Sequence, residues 1–184
     1  MKHFFSLAAV WAITAACSAY SVNSIRSVDF NGGAAYRRVS IGFFEVTGNA
    51  NISRTQRNLY DALAFSLQQR GYLVTDFPAT QMLMQRLGLP VDRLLLESEV
   101  LQFSGNSPAR VLLQGRIEEI RTDRLVESHI QSMIQLQLFD VRTGKKVGQI
   151  VLFGKDQEFV TGKEIMLMTD HLCAEFDKMI GSVK

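Results

Sequence analysis

Few residues here could perform covalent chemistry, and their spacing sets the first limit on function. The 184-residue chain contains three histidines and two cysteines. His129 and His171 stand apart, with no H-x-x-x-H, C-x-x-C or D-x-D-x-D pattern to gather ligands around a metal. A side-chain nucleophile needs a neighbouring base and a group that orients it. The chain offers no G-x-S-x-G, no S-x-x-K and no phosphate-binding glycine loop, and Gly32-Gly33 follows no strand pattern. Glu118 and Glu119 are adjacent on a stretch with strand alternation, so their carboxylates point to opposite faces and cannot share a site. Arg116, Arg121 and Arg124 with Asp123 read as a solvated rim of mixed sign. Cys173 falls on the apolar stripe of a predicted helix, where a thiol behaves as a small buried hydrophobe. No catalytic, cofactor-binding or metal-ligating residue is assigned.

Cys17 is different, because its neighbours suggest a modification. Lys2 and His3 precede a run from Phe4 to Ala16 interrupted only by Ser6 and Thr14. That run suits the apolar part of a signal peptide and falls short of the roughly 20 residues needed to span a bilayer. Ala15-Ala16-Cys17-Ser18 resembles the lipobox of bacterial lipoproteins, with Thr14 where an aliphatic residue is usual. The resemblance implies cleavage after Ala16 and acylation of Cys17. Ser18, in place of aspartate, resembles the pattern for sorting to the outer membrane, facing the periplasm. The alternatives are a soluble periplasmic protein cut after Ala19 and an uncleaved anchor. Several acyl chains hold firmly where one holds weakly.

Processing would remove residues 1–16 together with Trp11, the single tryptophan, leaving no indole to stack on sugars. It would also leave 19 basic side chains (20 less Lys2) against 18 acidic ones. A balance so near zero gives no reason to expect nucleic acid as a partner. With Cys17 acylated, Cys173 has no intramolecular disulfide partner. The remaining 168 residues (184 minus 16) suffice for one domain with a real core.

Residues 17–36 read as the lipidated cysteine and a flexible tether, and residues 37–184 as a single domain. A 19-residue tether from Ser18 to Tyr36 would reach roughly 25 Å on average and about 65 Å at full extension. Arg38–Val46 is nearly continuous in apolar character, as in a strand buried on both faces. Ser53 and Gln56 form a capping box opening a helix with Leu59, Tyr60, Leu63 and Leu67 on one face, ended by Gly71. Tyr72–Thr75 is a short strand, parallel to the first through a right-handed crossover. Helices follow from Pro78 to Gly88, and from Asp92 through Leu95, Leu96, Val100 and Phe103.

Three antiparallel strands come next, over Arg110–Arg121, His129–Val141 and Lys146–Phe159. In the first, Val111, Leu113, Gly115 and Ile117 alternate with Leu112, Gln114, Arg116 and Glu118. In the second, Ile130, Ile134, Leu136 and Leu138 alternate with Gln131, Gln135 and Gln137. Gly144 can adopt the positive φ of a tight bulged turn between the second and third. Thr161 and Glu164 open the last helix, which carries Ile165, Met168, Leu172, Phe176 and Met179 at spacings of three and four. The class is α/β: one mixed sheet in the order β-α-β-α-α-β-β-β-α, helices packed on the sheet as one layer pair.

Four stretches carry a family resemblance: Val39 to Glu45, Val74-Thr75-Asp76, Leu112-Leu113-Gln114-Gly115-Arg116-Ile117, and Leu138 through Asp140-Val141-Arg142-Thr143-Gly144-Lys145. Together they resemble the domain shared by three groups. These are the curli secretion lipoprotein, the lipoprotein activators of penicillin-binding proteins, and the N-terminal domain of the Tol-system β-propeller protein. The likeness covers about Arg37 to Ile180. Pro108-Ala109-Arg110 replaces the usual alanine-aspartate, and Val147-Gly148-Gln149 follows the hairpin without the frequent tryptophan. The resemblance implies a non-enzymatic envelope lipoprotein that docks an envelope protein or copies of itself, and it implies no cofactor. The connections are too short for the membrane hairpins of a curli-type pore, and a tether this short favours a ring or collar near the outer membrane. The competing class is a small periplasmic ligand carrier or enzyme with a cleft between sheet and helices.

Overall fold

The computed structural model describes residues 20–27, 32–48, 52–123, 128–155 and 162–181. In chain order the elements are β1 (Tyr20–Arg26), a 3-10 turn (Ala34–Arg37), β2 (Arg38–Gly48), α1 (Ile52–Gln69), β3 (Leu73–Thr75), α2 (Phe77–Arg86) and α3 (Glu97–Phe103). Then come β4 (Val111–Asp123), β5 (Ser128–Asp140), β6 (Lys146–Lys155) and α4 (Gly162–Gly181). The six strands form one mixed sheet in the order β1-β6-β5-β4-β2-β3. β2 runs parallel to both β3 and β4, while β4, β5, β6 and β1 pair antiparallel.

The alternation in β4 and β5 resolves into two faces. On one, Val111, Leu113, Ile134, Leu136 and Leu138 meet the buried stripes of α1 (Leu59, Leu63, Leu67) and α4 (Ile165, Met168, Leu172, Phe176). Each such side chain contributes roughly 1.5–3 kcal/mol when fully withdrawn from water. β2 keeps its place on this face through a shift in register between Ile41 and Phe44. That bulge returns Phe44 to the side of Val39 and Ile41. Gly115 makes room for the Phe44 ring, since a Cβ there would lie 2.9 Å from Phe44 Cε1 and 1.9 Å from the Gln135 carbonyl oxygen.

The other face is covered at one end only. Leu112, Phe139 and Val141 lie under Met84 of α2, Val100 and Phe103 of α3, and Leu89 and Leu95 between the helices. The fold is thus three-layered at this end, where the alternation alone pointed to a layer pair. Three apolar side chains on the second face required a cover of their own.

The tether expected over residues 18–36 is overturned. Residues 20–26 form β1, paired along its length with β6, and Tyr20 and Val22 pack against the core. The Ser27 N–H donates to Val147 O at 2.9 Å, the Arg26 guanidinium to Met179 O at 3.2 Å, and the Gly33 N–H to Ile180 O at 3.2 Å. Tyr36 is half-buried, its hydroxyl donating to Asp140 at 2.9 Å beneath the Arg110 guanidinium, which itself pairs with Asp140 at 2.9 Å. An edge strand with Ser21, Asn23 and Ser24 turned outward carries too little alternation to be recognised without its partner strand.

Two local expectations also change. The helix expected from Asp92 begins only at Glu97, because Gln114 captures the preceding turn: it accepts from Leu95 N–H at 2.9 Å and donates to Leu95 O at 2.8 Å. α1 starts at Ile52, so Ser53 lies inside it, and the Gln56 amide donates instead to Phe44 O at 2.6 Å. Thr161 of the second capping box lies outside the described residues. Gly71 and Gly144 take the expected positive φ, at 79° and 69°, and Gly88, read as the end of its helix, has a φ of 67°.

Candidate docking surface

The residues singled out for chemistry are not brought together. His129 is exposed at the start of β5, and His171 is exposed on α4 with its ring 5.6 Å from that of Tyr20. Cys173 is 1% exposed, and burial pushes its thiol up to about 11, which leaves it protonated and unreactive at neutral pH. Glu119 is buried while Glu118 is half-buried on the opposite face, and Arg116 pairs with Glu45 at 2.8 Å on the wet side of the sheet. Cys17 and Arg124 lie outside the described residues, as do the side chains of Arg121 and Asp123. Among the described residues, no group of three or more His, Cys, Asp and Glu could hold a metal ion. No described helix is long and apolar enough to cross a membrane.

What the surface does offer is an apolar groove between α1 and α4. On α1, Ala62, Phe65, Ser66 and Gln69 recur at three- and four-residue spacing, forming a second stripe beside the core stripe of Leu59, Leu63 and Leu67. Met166, Leu167 and Asp170 face it from α4, enclosing about 370 Å³. Phe65, Met166 and Leu167 remain 53%, 51% and 47% exposed. Sequence reading passed over the groove. Its signal was present as apolar stripes wider than one core contact needs.

One end of the groove is polar. Asp170 accepts from the Arg70 guanidinium at 2.7 Å and from the Ser66 hydroxyl at 3.2 Å. Its hydrogen bond to Arg70 holds that guanidinium protonated beyond its ordinary range. Nearby, the Tyr72 hydroxyl donates to Asp177 at 2.6 Å, and the Arg37 guanidinium sits 5.2 Å from the Tyr72 ring centre. Burial, then the bond to Asp177, pushes the Tyr72 phenol well above its usual range. These contacts fasten the end of α1 and the start of β3 to α4. A second uncovered region is the lower half of the sheet's other face, where Met133, Val151 and Phe153 stand half-buried among Gln131, Gln135, Gln137 and Gln149. Leu96, at the N-cap of α3, and Leu101, within α3, are 62% and 50% exposed on that same side.

No family model matches the chain, and no curated protein sequence matches it. Its shape does have counterparts. PelC from Paraburkholderia phytofirmans, solved as a dodecamer, is similar over 84% of this chain and 96% of its own, at 14% identity and a TM-score of 0.51. Lipoprotein GNA1162 from Neisseria meningitidis is similar over 77% of this chain and 98% of its own, at 11% identity and a TM-score of 0.50. The LpoB C-terminal domain from Salmonella enterica follows at 19% identity, covering 72% of this chain and 88% of its own. Its TM-score is 0.45. At such identities the likeness concerns the fold: a mixed sheet with helices on it, one that a lipoprotein and a subunit of a dodecamer also adopt.

Proposed function

We propose that this chain is a lipid-anchored bacterial envelope protein that works by self-association and not by catalysis. In this reading residues 1–16 are a signal peptide, Cys17 is acylated, and the domain faces the periplasm from the outer membrane. The observation that carries the proposal is the exposed groove of Phe65, Met166 and Leu167. Contiguous apolar surface rimmed by polar groups marks a contact site. The proposed occupant is a second copy of this chain. A closed ring needs two different complementary surfaces on each subunit. This domain has exposed apolar residues on opposite sides, at the α1–α4 groove and at Leu96 and Leu101 beyond the sheet. The dodecamer formed by PelC supports the same reading, since that protein shares the fold.

The test is to express the full chain, extract it in mild detergent and measure its mass in solution. The unaltered chain should run as a multimer, and the pair Phe65→Glu with Met166→Glu should run as a monomer that still unfolds cooperatively, its melting temperature now independent of concentration. A monomeric unaltered chain, or a multimer indifferent to both charges, would sink the proposal. Intact mass of the same sample reports whether Cys17 carries acyl chains.

A further inference from the structure

We infer that the domain meets the lipid surface end-on, through the end of the sheet where β1 begins, with its strands rising away from the bilayer. This rests on the acylation of Cys17 proposed above. Only Ser18 and Ala19 separate Cys17 from Tyr20, the first residue of β1. Three residue steps span at most about 10 Å. The strand cannot peel away freely to lengthen that leash, because it pairs with β6 from Tyr20 opposite Gly154 to Arg26 opposite Gly148. Its far end is tied down as well, by Ser27 N–H to Val147 O at 2.9 Å and the Arg26 guanidinium to Met179 O at 3.2 Å.

The register shows which end is held down. Tyr20 lies opposite Gly154, Gly154 opposite Ser132, Ser132 opposite Glu119, and Glu119 opposite Gly48. Those five residues mark one end of the sheet, where β2 and β6 finish and from which the β4–β5 hairpin runs on by four more residue pairs, to Asp123 and Ser128. The Asp140–Lys146 hairpin lies at the other. Glu119 is eight residue steps along β4 from Val111, which faces Asp140, so the two ends are about 25 Å apart, and the β4–β5 hairpin reaches about 13 Å beyond the lipid end. At the lipid end the half-buried Tyr20 ring, beside His171, is amphipathic, a character suited to headgroup depth. Copies anchored alike by this end share one orientation, and their lateral surfaces, the α1–α4 groove included, are left to face one another.

The processed chain contains no tryptophan, so single tryptophans report position cleanly. The acylated full chain would carry His129→Trp at the lipid end, Arg142→Trp at the far hairpin or Gln69→Trp on the helix side. Each is reconstituted in phosphatidylethanolamine–phosphatidylglycerol vesicles with a dansyl headgroup acceptor. Energy transfer should be several-fold greater from His129→Trp than from Arg142→Trp, with Gln69→Trp between. A flexible insert of twenty Gly and Ser residues between Ser18 and Ala19 reaches about 25 Å and should erase the gradient. Equal transfer at both ends, greatest transfer at Gln69→Trp, or a gradient indifferent to the insert would overturn the inference while leaving the anchor intact. An unacylated intact mass would overturn the anchor, and the inference with it.

Discussion

The two faces of the sheet are built by the same strands yet solve different problems. On the face under α1 and α4, buried side chains from four strands and two long helices interlock through Ile41, Leu113, Ile134, Leu136 and Ile150. On the other, cover extends only over Leu112, Phe139 and Val141, and the surface turns to Gln131, Gln135, Gln137 and Arg116. Packing fixes the first face. The second is fixed by a few directional bonds, chief among them the Gln114 amide on Leu95. The first should therefore fail through volume, and the second through lost hydrogen bonds.

The largest effect should come from filling the space at Gly115. A Cβ there meets the Gln135 carbonyl at 1.9 Å, and backbone cannot step aside as a flexible side chain can. Overpacking usually costs 1–3 kcal/mol, and Gly115→Val should reach about 3 kcal/mol or more, since it both parts β4 from β5 and displaces Phe44. The urea midpoint measures this. A loss below about 1 kcal/mol would mean the dry face is looser than its contacts indicate.

Gln114→Leu should act next, and differently. It keeps the volume while leaving the N–H and C=O of Leu95, a residue 3% exposed, without partners. Stranding such buried groups costs about 2 kcal/mol. The damage should be local: amide exchange should quicken over residues 88–96 and stay slow in α1 and α4. Uniform acceleration through both faces would deny that the second face is held separately.

The same contrast explains what could be read from sequence. Elements whose pattern is set by burial on one face were legible: the strands around Leu113 and Ile134, and the helix stripes ending at Leu67 and Met179. So were turns set by one residue's φ, at Gly71 and Gly144. Elements set by a distant partner were not. β1 owes its conformation to β6, more than 120 residues later in the chain, and the turn before α3 owes its shape to Gln114. The docking groove escaped notice because an exposed Phe65 and a buried Leu63 look alike in a stripe until α4 is seen to cover one and not the other.

The smallest effect should arise at the outer rim of the second face, where Glu99 closes the start of α3. Its carboxylate accepts from Arg93 at 2.6 and 2.9 Å and from the Leu96 N–H at 2.7 Å. The bond from Arg93, then that from Leu96, holds the Glu99 carboxyl below the ordinary glutamate range. A lowered value in the folded chain means its contribution is complete above the unfolded glutamate pKa of about 4.3 and is lost as pH falls through the folded value. The Arg93 side chain is half in water, so solvent screens the pair and Glu99→Gln should cost only about 0.5 kcal/mol near neutrality. The difference in urea midpoint between the variant and the unaltered chain should close as the solution is acidified, and shrink in high salt at neutral pH. A gap that persists once the carboxylate is protonated would show that Glu99 holds α3 by packing, and that even the rim of the second face depends on shape and not on bonds.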